Sequence, residues 1–162
     1  MASNHNGFIV HYNQFKDKIY NYFWYRIGFD QKTAEDLTSE VFLKALKKIA
    51  DFDDTRPFGP WIFAIAHNHL INYYKMNHRE LPLEDQIHLV SPNNQDIEEK
   101  LEIERVIAQI NTLEAGDREI LLLKFVDDLT NTEIATLLDK KEGAVRTHLS
   151  RSLAKLRGLL SK

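Results

Sequence analysis

The side chains with most chemistry to offer stand near the end of the chain. From Lys140 to Lys162 there are seven Lys or Arg residues against one acid, Glu142, with Thr147, His148 and Ser150 among them. Cations interleaved with hydroxyls and an imidazole suit phosphate oxygens and base edges, not bond-making. Elsewhere the candidates for catalysis fall away. His67 and His69 would lie about 200° apart on a helix and cannot share a metal. No His-Glu-x-x-His pattern occurs, and no Gly-rich phosphate loop follows a strand. The acidic pairs Asp53-Asp54 and Asp127-Asp128 lie in turn-forming contexts, where carboxylates bond the local backbone. No catalytic group, metal site or cofactor motif is visible.

The elements that must carry the basic stretch are two short helices. Thr130 opens a Thr-x-x-Glu box closed by Glu133, a helix start. Ile134, Ala135, Leu137 and Leu138 give that helix an apolar face, and Asp139–Lys141 leaves room only for a tight corner. Beyond Gly143, Val145, Leu149, Leu153, Leu156 and Leu160 form one stripe of a second helix. The opposite side centres on Thr147 and Arg151, flanked by Ala144, His148, Ser150 and Lys155, with Arg146 at its edge. This is the pattern of a helix-turn-helix, whose second helix enters the major groove of DNA. An amphipathic hairpin with a solvated basic face would read the same way, and these residues alone leave both open.

The rest of the chain is helical in pattern. Tyr12, Phe15, Ile19, Tyr22 and Phe23 place a helix over 8–26 that ends near Gly28, while Met1–Asn6 is expected to be loose. Thr33 is the expected cap of a second helix, which runs through Leu37, Val41, Phe42, Ala45, Leu46 and Ile49. Its acidic start and basic end complement the helix dipole. Asp51–Pro60 breaks the pattern with two prolines and a glycine. A helix from Trp61 to about Asn77 follows, with Asn68, Asn72 and Lys75 outward. Leu81–Gln95 is acidic, holds two prolines and has no period. Helices resume at Ile97, through Leu101, Ile103, Val106, Ile107 and Ile110, and again over 120–125. No alternating strand pattern appears. The expected fold is all-α: two small helical domains, 8–80 and 97–162, joined by a flexible linker at 81–96, the C-terminal domain a helix-turn-helix.

Composition agrees with a folded protein, 43% hydrophobic and 28% charged. The net charge of -3 argues against indiscriminate coating of nucleic acid, and the basic excess is confined to the last helix. The chain has no cysteine, which excludes disulfides and thiolate metal sites and is compatible with a reducing cytoplasm. No apolar run approaches the ~20 residues of a membrane span, so a soluble cytoplasmic protein without membrane insertion is expected.

Three stretches in series resemble the bacterial extracytoplasmic-function RNA polymerase sigma factors of the sigma-70 family. They are AEDLTSEVFLKALKKI (34–49), PFGPWIFAIAHNHLINYY (57–74) and residues 113–156. The resemblance implies a non-enzymatic subunit that binds core RNA polymerase and directs it to promoters. It implies polymerase docking, on the clamp coiled coil of the beta-prime subunit, through Glu35, Asp36, Ser39 and Glu40. Where Ser39 stands, the family usually has Gln. Lys44, Phe52 and Asn68 would meet the downstream (minus-10) element as an opened strand. Lys124, Arg146, Thr147, Ser150 and Arg151 would meet the upstream (minus-35) element as duplex. Promoter DNA, core polymerase and an anti-sigma factor are the implied partners, with no cofactor.

Overall fold

The structure, a computed structural model, describes the backbone of residues 2–77 and 97–162 and their side chains except at 2–6, 97 and 100. The linker expected at 81–96 lies outside the described residues. Contacts divide the chain into two units, Met1–Leu81 and Pro82–Lys162. All described elements are helical and no strand occurs among them. No helix among the described residues is long and apolar enough to cross a membrane.

The first unit holds α1 (Ala2–Trp24), α2 (Gln31–Lys48) and α3 (Phe58–Asn77). Most of a helix's stability in a protein comes from packing its amphipathic face, so each buries its apolar stripe against the others. Ile19, Tyr22 and Phe23 of α1 meet Leu37, Val41, Phe42 and Ala45 of α2 and Ile62, Phe63, Ala66 and Leu70 of α3 in one core.

Four local expectations are corrected. Helix α1 begins at Ala2, so the residues read as loose continue it; adding a residue to a formed helix costs far less than starting one. Asp30, not Thr33, caps α2: its carboxylate accepts from the Thr33 amide at 3.3 Å and the Thr33 hydroxyl at 2.8 Å. Of the apolar residues read along α2, Ala45 is fully buried but Leu46 is 38% exposed, at the edge of the stripe. Helix α3 starts at Phe58, not Trp61. Pro60 is tolerated in the first turn, where the missing N–H would have had no helical acceptor. Gly59 fits because a Cβ there would stand 3.2 Å from the Phe15 ring.

The second unit holds α4 (Ile97–Asn111), α5 (Ala115–Leu121), α6 (Asn131–Leu138) and α7 (Glu142–Leu160), with a π-helical turn over Leu122–Val126. The box at Thr130 forms as expected: its hydroxyl accepts from the Glu133 amide at 3.1 Å, and Glu133 accepts from the Thr130 amide at 3.2 Å. Ile107 and Ile110 of α4 are buried, as are Ile120–Leu123, Ile134, Val145, Leu149 and Leu156, while Leu101 and Ile103 are exposed. Asp139 makes the corner in the left-handed region, φ 53°, and α7 takes Gly143 into its first turn.

Both tryptophans, Trp24 and Trp61, belong to the first unit, so intrinsic fluorescence reports on it alone. Ile62→Val, at a fully buried site in α3, is expected to cost about 1 kcal/mol. A lower urea midpoint by tryptophan fluorescence, with an unchanged slope, checks it.

Candidate nucleic-acid interface

The first half of α7 stands clear of the core on one side. Ala144, Arg146, Thr147, Ser150 and Arg151 are exposed there, and Lys140 and Lys141 are exposed on the preceding corner. Arg146 donates to Glu142 at 3.0 Å and the Thr147 hydroxyl donates to the Gly143 carbonyl at 3.0 Å. Both bonds run along the helix and leave the side chains on its outer face. Lys124 is half-buried on the π turn, beside Phe125, which is 57% exposed.

Two residues read as outward are not free. The His148 Nε2 donates to Asp117 Oδ1 at 3.0 Å and the Lys155 Nζ donates to Asp117 Oδ2 at 2.7 Å. Between them Ser152, fully buried, donates to Oδ1 at 2.6 Å. Asp117 stands in the first turn of α5 and is itself buried. Bonds from Lys155, then Ser152 and His148, hold its carboxyl down at about 2 although burial opposes this. The sequence carried no sign of this cluster, because Asp117 looks like an ordinary first-turn acid.

On the first unit, Glu35, Asp36, Ser39 and Glu40 are all exposed on α2. Leu43, 58% exposed, continues their face by one turn. The expected downstream set does not form one pocket. Phe52 packs on Trp61 at 4.8 Å and Phe58 at 5.7 Å between ring centroids. It borders a cavity of about 320 Å³ whose walls include Phe8, His11, Ile49, Asp54 and Arg56, but neither Lys44 nor Asn68. Asp53 orders the loop beside it, accepting from the Thr55 amide at 2.9 Å and hydroxyl at 2.6 Å. Asn68 is exposed on α3.

Lys44 instead donates to His69 Nδ1 at 2.8 Å, and His69 Nε2 donates to Glu40 at 2.6 Å. An ammonium has no acceptor, so Nδ1 must present its lone pair and the imidazole proton sits on Nε2. His69 thereby joins one residue expected to meet polymerase with one expected to meet DNA. His67, two residues earlier, points elsewhere, with Nδ1 3.2 Å from the Tyr22 hydroxyl.

Two family descriptions match this chain: Sigma-70 region 2 over residues 11–80 and Sigma-70, region 4 over residues 103–156. The chain is 32% identical over 155 residues to the ECF RNA polymerase sigma factor BldN of Streptomyces coelicolor. That match takes in 92% of this chain and 58% of the length of BldN. It is 29% identical to the ECF RNA polymerase sigma factor SigW of Bacillus subtilis, over 88% of this chain and 83% of SigW. The chain belongs to the sigma-70 family, in its extracytoplasmic-function group.

Solved structures share the fold. The sigma factor RpoE of Bartonella quintana, crystallised with the anti-sigma factor NepR, matches with a TM-score of 0.76 at 18% identity, over 96% of this chain and 97% of that one. CnrH, solved in complex with the cytosolic domain of CnrY, matches with a TM-score of 0.73 at 24% identity, over 99% of this chain and 91% of that one. In this sigma-family chain, region 2 matches within the first unit and region 4 within the second.

The lowered pKa of Asp117 makes the second unit acid-sensitive in a defined direction. A carboxyl held at about 2, against an ordinary 3.8, adds stability that is present above the ordinary value and lost as pH falls toward about 2. Asp117→Asn is expected to flatten that dependence. Amide exchange along α7 at pH 5, 4, 3 and 2 is the check; equal pH slopes in both proteins would contradict it.

Proposed function

We propose that this chain is a promoter-specificity subunit: it binds core RNA polymerase and directs initiation through the minus-10 and minus-35 elements. The observation that carries the reading is that regions 2 and 4 match in order, each within its own unit. Its work is binding, not catalysis, and its setting is the cytoplasm, where polymerase is found. The proposed division is a region 2 domain at 8–80, a linker at 81–96 and a region 4 domain at 97–162.

Glu35, Asp36, Ser39 and Glu40 form the docking surface for the clamp coiled coil of the beta-prime subunit. Their exposure in one face of α2, with Leu43 beyond them, supports this. A face of acids beside an exposed leucine suits a partner helix that is basic and partly apolar. Phe52 and its cavity take an unstacked base of the downstream element, and Lys44 and Asn68 contact the same opened strand outside that cavity. A cavity with aromatic walls and a few charged groups suits a splayed base, which is stacked on its face and bonded at its edges. Unstacking costs a few kcal/mol per step, offset by capturing the extruded base.

Lys124, Arg146, Thr147, Ser150 and Arg151 grip the upstream element. Arg and Lys there position on phosphate or bond to guanine, and the hydroxyls bond to phosphate or base. An anti-sigma factor is the proposed silencing partner, in keeping with the NepR complex of the Bartonella factor.

Run-off transcription with purified core polymerase and a random promoter pool tests the reading. Enrichment of two spaced elements is the expected result; a pool left unselected would refute it. Arg151→Ala is expected to weaken upstream promoter binding and to lower its log–log salt slope by about 0.9. Asp36→Ala is expected instead to weaken association with core polymerase. Wild-type transcription from both variants would show that these residues do not carry the contacts.

A further inference from the structure

The polar cluster between α5 and α7 lies outside the contacts just proposed. Asp117 is 5% exposed, and its three donors, at positions 148, 152 and 155, lie along one stripe of α7. Withdrawing a carboxylate from water is costly unless it is paired and hydrogen-bonded, and here both conditions are met by a single helix. Apolar packing alone lets a helix roll and slide by small amounts. Hydrogen bonds weaken steeply off-axis, so three of them meeting on one carboxylate hold α7 at one rotation and one axial register.

The same bonds decide which cations remain for DNA. Lys155 is half-exposed, and by its place on the helix it reads as a phosphate-binding residue. Its ammonium, however, lies 2.7 Å from Asp117, and the pair carries no net charge. Arg151, one turn earlier, is exposed and has no such partner among the described residues.

We propose that Asp117 is a positioning residue for promoter recognition, holding α7 so that Arg146, Thr147, Ser150 and Arg151 face the groove and withholding Lys155 from the phosphates. The inference rests on α7 being the duplex-reading helix. It assigns Lys155, an exposed lysine on that helix, a role in sequence discrimination and none in backbone affinity.

The test uses holoenzyme made from the full chain and core polymerase. A random duplex pool first defines the upstream sequence that wild type prefers. Binding to that duplex and to one with the upstream element scrambled is then measured across a salt series. Removing one cationic side chain from a phosphate lowers the log–log salt slope by about 0.9.

Arg151→Gln should lower the slope by about that amount. Lys155→Gln should leave the slope unchanged and reduce the ratio of selected to scrambled binding about tenfold, within the range that uncoupling two interacting side chains produces. Asp117→Asn should reduce the ratio similarly and raise the slope, since Lys155 is released toward phosphate. Ser152→Ala changes no charge, and should reduce the ratio at constant slope.

A slope that falls in Lys155→Gln as it does in Arg151→Gln, with the ratio intact, would overturn the proposal and place Lys155 on a phosphate. If wild type selects no upstream sequence and Arg151→Gln has no effect, the duplex-reading assignment of α7 itself fails. The two failures are thus told apart by the Arg151 variant.

Discussion

Every helix in this chain has to bury a stripe and leave a face, and the rest of the molecule follows from that division. The apolar stripe of α2 sets Leu37, Val41, Phe42 and Ala45 against α1 and α3. What remains outward is Glu35, Asp36, Ser39, Glu40 and Leu43. Helix α7 divides the same way, with Val145, Leu149 and Leu156 inward and Arg146, Thr147, Ser150 and Arg151 outward. Because the core takes one side of each helix, each unit buries its own apolar residues and still offers a largely polar surface to a partner.

Within that scheme the polar bonds between helices add what apolar packing does not supply, namely direction. Asp117 ties α5 to α7, the Glu40–His69–Lys44 chain ties α2 to α3, and the Tyr74 hydroxyl donates to the Arg26 carbonyl at 2.6 Å, tying the end of α3 to the turn after α1. Two of these three involve side chains on, or beside, the faces assigned to partners. In both, a lysine on or near such a face is already engaged by a neighbour. Lys44 is held by His69 and Lys155 by Asp117, so the free cationic surface is smaller than the number of lysines suggests.

Much of the fold was legible in the residues. The Thr130–Glu133 box, the corner at 139–141 and the buried stripes of α2 and α7 depend on neighbours three or four positions apart, which is the spacing a helix imposes. The local misreadings have local causes. Pro60 looked like a breaker but sits where a helix accepts proline, and Asp30 outcompeted Thr33 for the cap because it precedes the first turn. The candidate surfaces were legible in part. Glu35, Asp36, Ser39 and Glu40 share one exposed face, while Phe52 borders a cavity that Lys44 and Asn68 do not reach.

By itself the sequence determined the helical class, the faces of the main helices and the family, since periodicity, caps and motif order are written along one dimension. Only the tertiary structure decided the polar partners. Asp117 meets residues 31, 35 and 38 positions away, and Glu40 meets one 29 positions away. Such pairs depend on the rotation of one helix against another. That rotation is set by how whole side chains interlock in the core, and no local pattern of residues records it.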